Sequence, residues 1–408
     1  MSADLTLEAK FIPNPWLPTA RAKDSPTNLF SCWSNSVTGL STNAIHPFRM
    51  SADLTLEAKF IPNPWLPNAG TYIGVFFPIA DVATTNSGYL TLQLTSAGKV
   101  TGKLIQAGQK PRSLSGNVGL DGSSTARVAG SSPLTVHLMF DLTGGSGEVT
   151  GSVSNTAWQT ALRAVPQVSS PVLVGRHTFF IPGADASTAS TKPAGDGVGV
   201  LTVVANGSAA IVGNLGEGTP LTFSSGVAKN GDMPVFAAQF GGKGFFIGWL
   251  TVSTSSPPLT VIGSSLNWLK PSGLPGQTNY LAGFSETKNL LGARFLPPPR
   301  STNALNWTTN GAVLLDGGQL SFTISNSLAI TGRKLSPVDN TNQIALSFDL
   351  ARNKSANGKL SGSFLHPVTR KTTRLKGVIL QMPDGDTGHG WFIGTDESGF
   401  LDLRPPSP

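Results

Sequence analysis

The stretch DGDTGHGWFIGTDESGF, from Asp384, holds the densest set of residues that could do chemistry: Asp384, Asp386 and His389, interleaved with glycine. Alternating Asp and Gly suits an oxygen-lined calcium loop, but the further ligands and the closing bidentate Glu of a calcium-binding helix–loop–helix are missing. The stretch therefore reads as a polar hairpin between Leu380 and Trp391, without a metal. The five histidines, His46, His137, His177, His366 and His389, show neither the i, i+4 spacing of a helical metal site nor a local cluster. His137 falls on the strand face opposite Val136, Leu138 and Phe140, which marks a solvated or lumen-facing side chain and not a base.

Nucleophiles fare no better. GSGEV around Ser146 and GSVSN around Ser152 do not make a G-x-S-x-G elbow, which also needs a strand–turn–helix setting. Asp141 with Glu148, and Asp396 with Glu397, sit in turn regions, and a glycosidase pair is defined by a separation that sequence does not supply. GGKGFF and VGNLGEG lack the order of a phosphate loop. The single cysteine, Cys32, excludes an internal disulfide framework and a zinc site of several thiolates. No catalytic, cofactor-binding or metal residue is assigned, no cofactor is expected, and the chain is read as not an enzyme. The tryptophans are the remaining candidates: Trp158, Trp268 and Trp391 come near the ends of successive units, Trp249 in a strand and Trp307 before one. Flat rings can hold sugar faces, but a Trp recurring at one place in a repeat reads first as a core plug or a seal between units.

The elements that must position these residues are strands. Only 12% of residues are charged, against about a quarter in ordinary soluble proteins, while Gly 47 and Pro 30 supply many turns. The net charge of +7 reflects few acids more than basic blocks, and the densest basic run is RKTTRLK at Arg370 to Lys376. A nucleic-acid footprint is more clustered, so no nucleic-acid partner is expected. No stretch approaches the roughly 18 uninterrupted apolar residues of a transmembrane helix. Met1 leads into Ser-Ala-Asp with neither the basic nor the apolar region of a signal peptide.

Three copies of one pattern organise the chain: GYLTLQLTSAGKVTGKL from Gly88, GVGVLTVVANGSAAIVGNL from Gly197 and GGQLSFTISNSLAITGRKL from Gly317. Each reads as glycine, strand, small polar turn, strand, glycine, then leucine. A second pair follows each, from Leu134, Pro234 and Ile344. Leu90, Leu92 and Leu94 alternate with Thr91, Gln93 and Thr95, and Ile344, Leu346, Phe348 and Leu350 alternate likewise, which is the period of strands with one apolar face. The connections AGK, NGS, GGSG and GGKG are short and glycine-bearing, as antiparallel hairpins require. TAWQTALRAV from Thr156 is the nearest approach to a helical period and suits a last strand equally well. Glycines within strand patterns, among them Gly102, Gly116, Gly151, Gly213, Gly248, Gly332 and Gly362, mark bulges or bends in strongly coiled strands. The fold class is all-β: tandem antiparallel β-meander units of six to eight strands, closing as small barrels, with β-sandwiches as the alternative.

One duplication is of another kind. MSADLTLEAKFIPNPWLP stands at Met1 and, letter for letter, again at Met50, an identity far beyond what a shared fold requires. The run FSCWSNSVTGLSTNAIHPFRMSADLTLEAKF, from Phe30 to Phe60, resembles the end of a divergent internalin-type B-repeat, the bacterial repeat domain, with Trp33, Gly39, Leu54, Leu56, Ala58 and Phe60 at the pattern positions. IPNPWLPNAGTYIGVFF and the glycine-spaced runs after it resemble glycine-rich β-repeat modules of large exported proteins from verrucomicrobial and planctomycete-like bacteria. The resemblance covers about Phe30 to Pro405. It implies an extracellular or cell-surface setting and supplies no catalytic residues.

The expected organisation is a loose remnant over 1–27, the repeat-domain tail and a proline-rich linker over 28–67, and β-repeat units over 68–170, 171–275 and 276–408. The joints are PQVSSP from Pro166 and KPSGLPGQ from Lys270. The function expected is a non-catalytic structural or adhesive segment of an exported surface protein, its partners cell-surface glycans or other surface proteins. The alternative is a carbohydrate-binding module with exposed, coplanar Trp rings, and a glycan-directed hydrolase ranks below both.

Overall fold

The computed structural model describes residues 5–9, 19–35, 39–48, 53–185, 188–253, 259–299, 302–332, 334–348 and 357–406, with the backbone alone for 5–9. Among these residues there is no α-helix; strands dominate, interrupted by short 3-10 turns such as Pro171–Leu173 and Phe240–Gly242. The N-terminal strands are β1 (Leu5–Ala9), β2 (Thr19–Arg21), β3 (Asn28–Ser34), β4 (Gly39–Ser41), β5 (Ile45–Pro47) and β6 (Leu54–Pro62). They form a four-stranded sheet in the order β1-β6-β3-β4 and a pair β2-β5. Trp33, Leu56, Ala58 and Ala20 are the buried apolar residues of this small unit, with Phe30 and Phe60 packed against them. The expectation of a loose segment over 1–27 is corrected in two places, because β1 lies antiparallel on β6 and β2 on β5. An open sheet edge takes a strand that matches it, and β1 repeats the sequence of β6. Residues 1–4 and 10–18 lie outside the described residues.

Three eight-stranded antiparallel barrels follow. The first comprises β7 (Gly70–Phe76), β8 (Gly88–Leu94), β9 (Lys99–Ile105), β10 (Arg112–Asn117), β11 (Ser123–Val128), β12 (Leu134–Phe140), β13 (Val149–Ser154) and β14 (Gln159–Pro166). The second has β15 (Gly175–Ile181), β16 (Gly197–Val203), β17 (Ser208–Asn214), β18 (Pro220–Gly226), β19 (Asp232–Gln239), β20 (Gly244–Val252), β21 (Leu259–Lys270) and β22 (Phe284–Arg294). The third has β23 (Gly311–Gly317), β24 (Ile324–Thr331), β25 (Lys334–Pro337), β26 (Ala345–Phe348), β27 (Lys359–Leu365), β28 (Thr372–Leu380), β29 (Thr387–Ile393) and β30 (Ser398–Arg404). In each, the first strand pairs with the last; the ladder is interrupted between the fourth strand and the fifth in the first two barrels, and between the third and the fourth, β25 and β26, in the third. All three are antiparallel meanders whose first and last strands pair, nearly closed, which removes most of the exposed edge a meander would otherwise present.

Alternation places the cores. Leu90, Leu92 and Leu94 point inward and are fully buried, while Thr91 and Gln93 face outward. Each buried leucine contributes roughly 1.5–3 kcal/mol relative to exposure. The first barrel is filled by Phe76, Leu104, Val136 and Val149, the second by Phe179, Leu201, Val235 and Trp268, and the third by Val313, Leu328, Phe364 and Phe392. TAWQTALRAV resolves into the last strand of the first barrel, β14. At Gly151 a Cβ would lie 1.9 Å from the His137 carbonyl oxygen, so strands β12 and β13 approach more closely than a side chain allows.

Two expectations are corrected. KPSGLPGQ is no joint: β22 pairs with both β21 and β15, so the second barrel runs to Arg294 and not to 275. The loop from Lys270 is a long hairpin connection within it, bent at Gly273 and Gly276, both at positive φ. The chain passes between the second and third barrels after Arg294, where Pro297–Pro299 stand. In the third copy of the repeat, the turn expected at Ser325–Ser327 is instead part of β24, and the chain reverses at Gly332. The other two copies turn at Gly98 and Gly207, both at positive φ, and SNS offers no glycine for that conformation. The 349–356 connection of the third copy's second hairpin lies outside the described residues.

Candidate functional site: the seams between barrels

The sequence-stretch candidates separate in space. Asp386 is buried, and its carboxylate accepts the backbone N–H groups of Asn306, at 3.0 Å, and Met382, at 3.3 Å. Its carbonyl accepts the Trp307 indole N–H at 2.6 Å. Burial pushes its carboxyl above the usual range against these two N–H donors. Asp386 thus fastens the segment entering the third barrel, while Asp384 is exposed and His389 faces the second barrel. The stretch is the hairpin between β28 and β29 that the sequence reading expects. No group of three His, Cys, Asp or Glu side chains suited to a metal occurs among the described residues.

His137 is exposed beside the Thr125 hydroxyl, at 3.0 Å. His177 and His366 are buried, their rings held by Thr260 at 2.8 Å and by the Gly318 carbonyl at 3.0 Å. His46 stacks near Phe48. Asp141 accepts hydrogen bonds from Thr143 and Ser146, which hold its carboxyl well below the usual range, and Glu148 binds Arg163. Asp396 is bonded to Gln319. Trp33, Trp268, Trp307 and Trp391 are buried, and Trp65, Trp158 and Trp249 are half-buried, so none of the tryptophans among the described residues is fully exposed. Their rings close barrels: Trp65 and Trp158 pack on the first core, Trp268 and Trp307 lie within the second and third.

Ionisable and aromatic groups do converge where barrels meet. Between the first and second barrels, Ile73, Val75, Tyr89, Val165, Phe236, Phe245 and Ile247 form one apolar cluster. Arg163 spans its edge, donating to Glu148 at 3.0 and 2.5 Å and to Asp232 of the second barrel at 2.6 Å, with its guanidinium 4.5 Å from the Trp249 ring. The two carboxylates raise its pKa further above the ordinary arginine value, against the effect of burial. The Tyr89 phenol meets the Ser225 hydroxyl at 3.2 Å. At Gly108 and Gly242 the backbones themselves touch: a Cβ on Gly242 would lie 2.3 Å from Gly108.

The seam between the second and third barrels is more polar. The Tyr280 phenol oxygen accepts the Ser398 N–H at 2.8 Å and lies 3.0 Å from its hydroxyl, which also accepts the Gly195 N–H at 3.1 Å. Burial raises the Tyr280 pKa, so the phenol keeps its proton. The Tyr280 and Ser398 oxygens are occupied by the hydrogen bonds that join the barrels. His389 stacks on Phe180 with 3.8 Å between ring centroids and stands 3.4 Å from the Asp196 carboxylate. Thr178 donates to the Ile379 carbonyl at 2.6 Å. Val198, Ala293, Val378, Leu380 and Trp391 form the apolar part, with Gly218 directly beneath the Trp391 ring.

Behind this seam, Lys270 and Glu217 pair at 2.7 Å with both side chains 1% exposed. The ammonium also donates to the Asn279 carbonyl at 2.9 Å and lies near the rings of Phe240 and Tyr280. A buried pair survives when its remaining donors are satisfied in this way. Sequence reading found His389 and Trp391 but missed Lys270, Glu217, Tyr280 and Ser398, which lie up to 181 residues apart in the chain, from Glu217 to Ser398. The one signal available was the presence of Lys270 at the end of an apolar strand.

No family profile matches this chain, and no curated protein matches it. Among solved structures it is similar to the isotype 1 transferrin binding protein B of serogroup B Neisseria meningitidis, at 10% identity over 93% of this chain and 84% of that chain, with a TM-score of 0.21. No part of the functional reading rests on that likeness.

Proposed function

We propose that the chain is a non-catalytic structural or adhesive segment of an exported bacterial surface protein, in which three barrels are held in fixed relation. The observation that supports this most directly is the construction of the seams. The converging ionisable groups, Arg163 with Glu148 and Asp232, and His389 with Asp196, are spent on joining one barrel to the next. Such groups convert neighbouring domains into one mechanical body, which is what a spacer or display scaffold needs. Partners would be other surface proteins, met through the outward faces. The resemblance of Phe30–Phe60 to a bacterial repeat domain supports the exported setting, and no helix among the described residues is long and apolar enough to cross a membrane.

The tryptophan-platform reading predicts exposed rings, and the rings in hand are plugs and seals. Acrylamide quenching of intrinsic fluorescence, repeated against a panel of polysaccharides, tests the proposal. Poorly quenched, blue-shifted emission that no glycan alters is the expected result. Quenchable emission protected by one glycan would transfer the function to sugar binding through Trp158 or Trp249.

A further inference from the structure

Strands β1 and β6 contain the same five residues, LTLEA, at Leu5–Ala9 and Leu54–Ala58. They pair antiparallel with Leu7 opposite Leu56, Leu5 opposite Ala58, Thr6 opposite Glu57, Glu8 opposite Thr55 and Ala9 opposite Leu54. That register is symmetric about a two-fold axis through the Leu7–Leu56 pair, since each strand meets in its partner the reverse order of its own residues. A two-fold pairing of identical strands uses the same edge of both. The opposite edge of β6 is taken by β3. The outer edge of β1 is therefore the counterpart of the β3-binding edge, and the self-matching edge is consumed within the pair.

We propose that this edge of β6 is a homotypic docking strand, its partner the β6 strand of a second copy of this chain, and that the duplicated N-terminal segment covers it in cis. Whatever backbone bonds β1 makes to β6, β6 of another copy can make in the same register, because the sequence is the same. The result is a continuous antiparallel sheet of β4, β3 and β6 from each copy, with Leu56 opposite Leu56 on the axis. An attached strand has the advantage of high effective concentration, so the covered chain stays single and the uncovered chain pairs. Edge strands left open are templates for this kind of addition.

The register makes the test specific. In the dimer, exposed Thr55 of each copy stands opposite Glu57 of the other, twice per dimer. Sedimentation or light scattering across a concentration series compares the full chain with a chain lacking residues 1–18. The three barrels have cores of their own, so the deletion leaves them intact. The full chain is expected to be monomeric and the shortened chain to dimerise with rising concentration. In the shortened chain, Thr55→Glu sets like charges opposite each other twice and weakens the dimer about tenfold, whereas Thr55→Lys retains or tightens it. A shortened chain that stays monomeric overturns the proposal, as does a dimer indifferent to the sign of the charge at position 55. A full chain that dimerises while the shortened one does not would assign the pairing to exchange of β1 instead.

Discussion

His177 shows what a barrel interior does to an ordinary histidine. It shares a strand face with Phe179 and Ile181 and is buried, whereas His137 stands on the face opposite Val136 and Leu138 and is exposed. Burial, with the Arg294 guanidinium adding to it, pushes the His177 pKa down to about 4. The unfolded chain, with an ordinary histidine value near 6.5, binds a proton that the folded chain refuses between those two values. The contribution of His177 to stability is thus complete above about pH 6.5, falls as the pH drops toward 4, and is constant below that, with a full span of about 3 kcal/mol. Denaturant midpoints measured from pH 7 to pH 4 for the wild type and for His177→Gln give the difference profile. The substitution should flatten the pH slope in that window, and an unchanged slope would show that the imidazole is reached by water. At this scale the sequence reading was sound where local pattern decides, as for His137 and the Asp384 hairpin. It was blind to Lys270–Glu217 and Tyr280–Ser398, because those partners are set by how strands and barrels meet and not by spacing along the chain.

Among elements, the alternation of Leu90, Leu92 and Leu94 made strand, face and core legible together, and glycine turns at Gly98 and Gly207 made the hairpins legible. The third copy misled because its serine–asparagine run looks like a turn, while Gly332 supplies the conformation that a tight reversal needs. The boundary at 275 failed for a related reason: proline and glycine mark a long hairpin loop as readily as a link between units. What no pattern could reveal is the meeting of Gly108 with Gly242, from the connections β9–β10 and β19–β20. Gly242 has a φ of 86° and no room for a Cβ. Gly242→Ala therefore carries both backbone strain and a clash with another barrel's main chain, and should cost about 1–3 kcal/mol. The cost falls on the seam, so limited proteolysis should cut the 166–175 connection several times faster in the variant. Cleavage at the wild-type rate would mean that the first and second barrels are held without this contact.

At the scale of the whole molecule, the question is whether three barrels unfold as three or as fewer. Trp391 belongs to β29 of the third barrel, but its ring lies in the seam with Val198, Ala293, Val378 and Leu380, and over Gly218. The third barrel's own core is formed by other residues, Phe364, Phe392, Leu401 and Leu403 among them. Removing the indole should therefore leave that barrel folded and weaken its coupling to the second. Truncation of a large buried aromatic costs about 3–5 kcal/mol, a substantial part of the roughly 5–15 kcal/mol that holds an ordinary domain. Among the remaining bridges, Tyr280 to Ser398 and Thr178 to Ile379 are hydrogen bonds of about 1 kcal/mol each and do not restore cooperativity by themselves. In calorimetry, the second and third barrels of the wild type should melt in one transition, and Trp391→Ala should divide it in two, the β signal in circular dichroism being retained until the upper one. A single undivided transition in the variant would locate the coupling in the hydrogen bonds and the Asp196–His389 pair. The apolar seam would then be a consequence of the barrels' placement and not its cause.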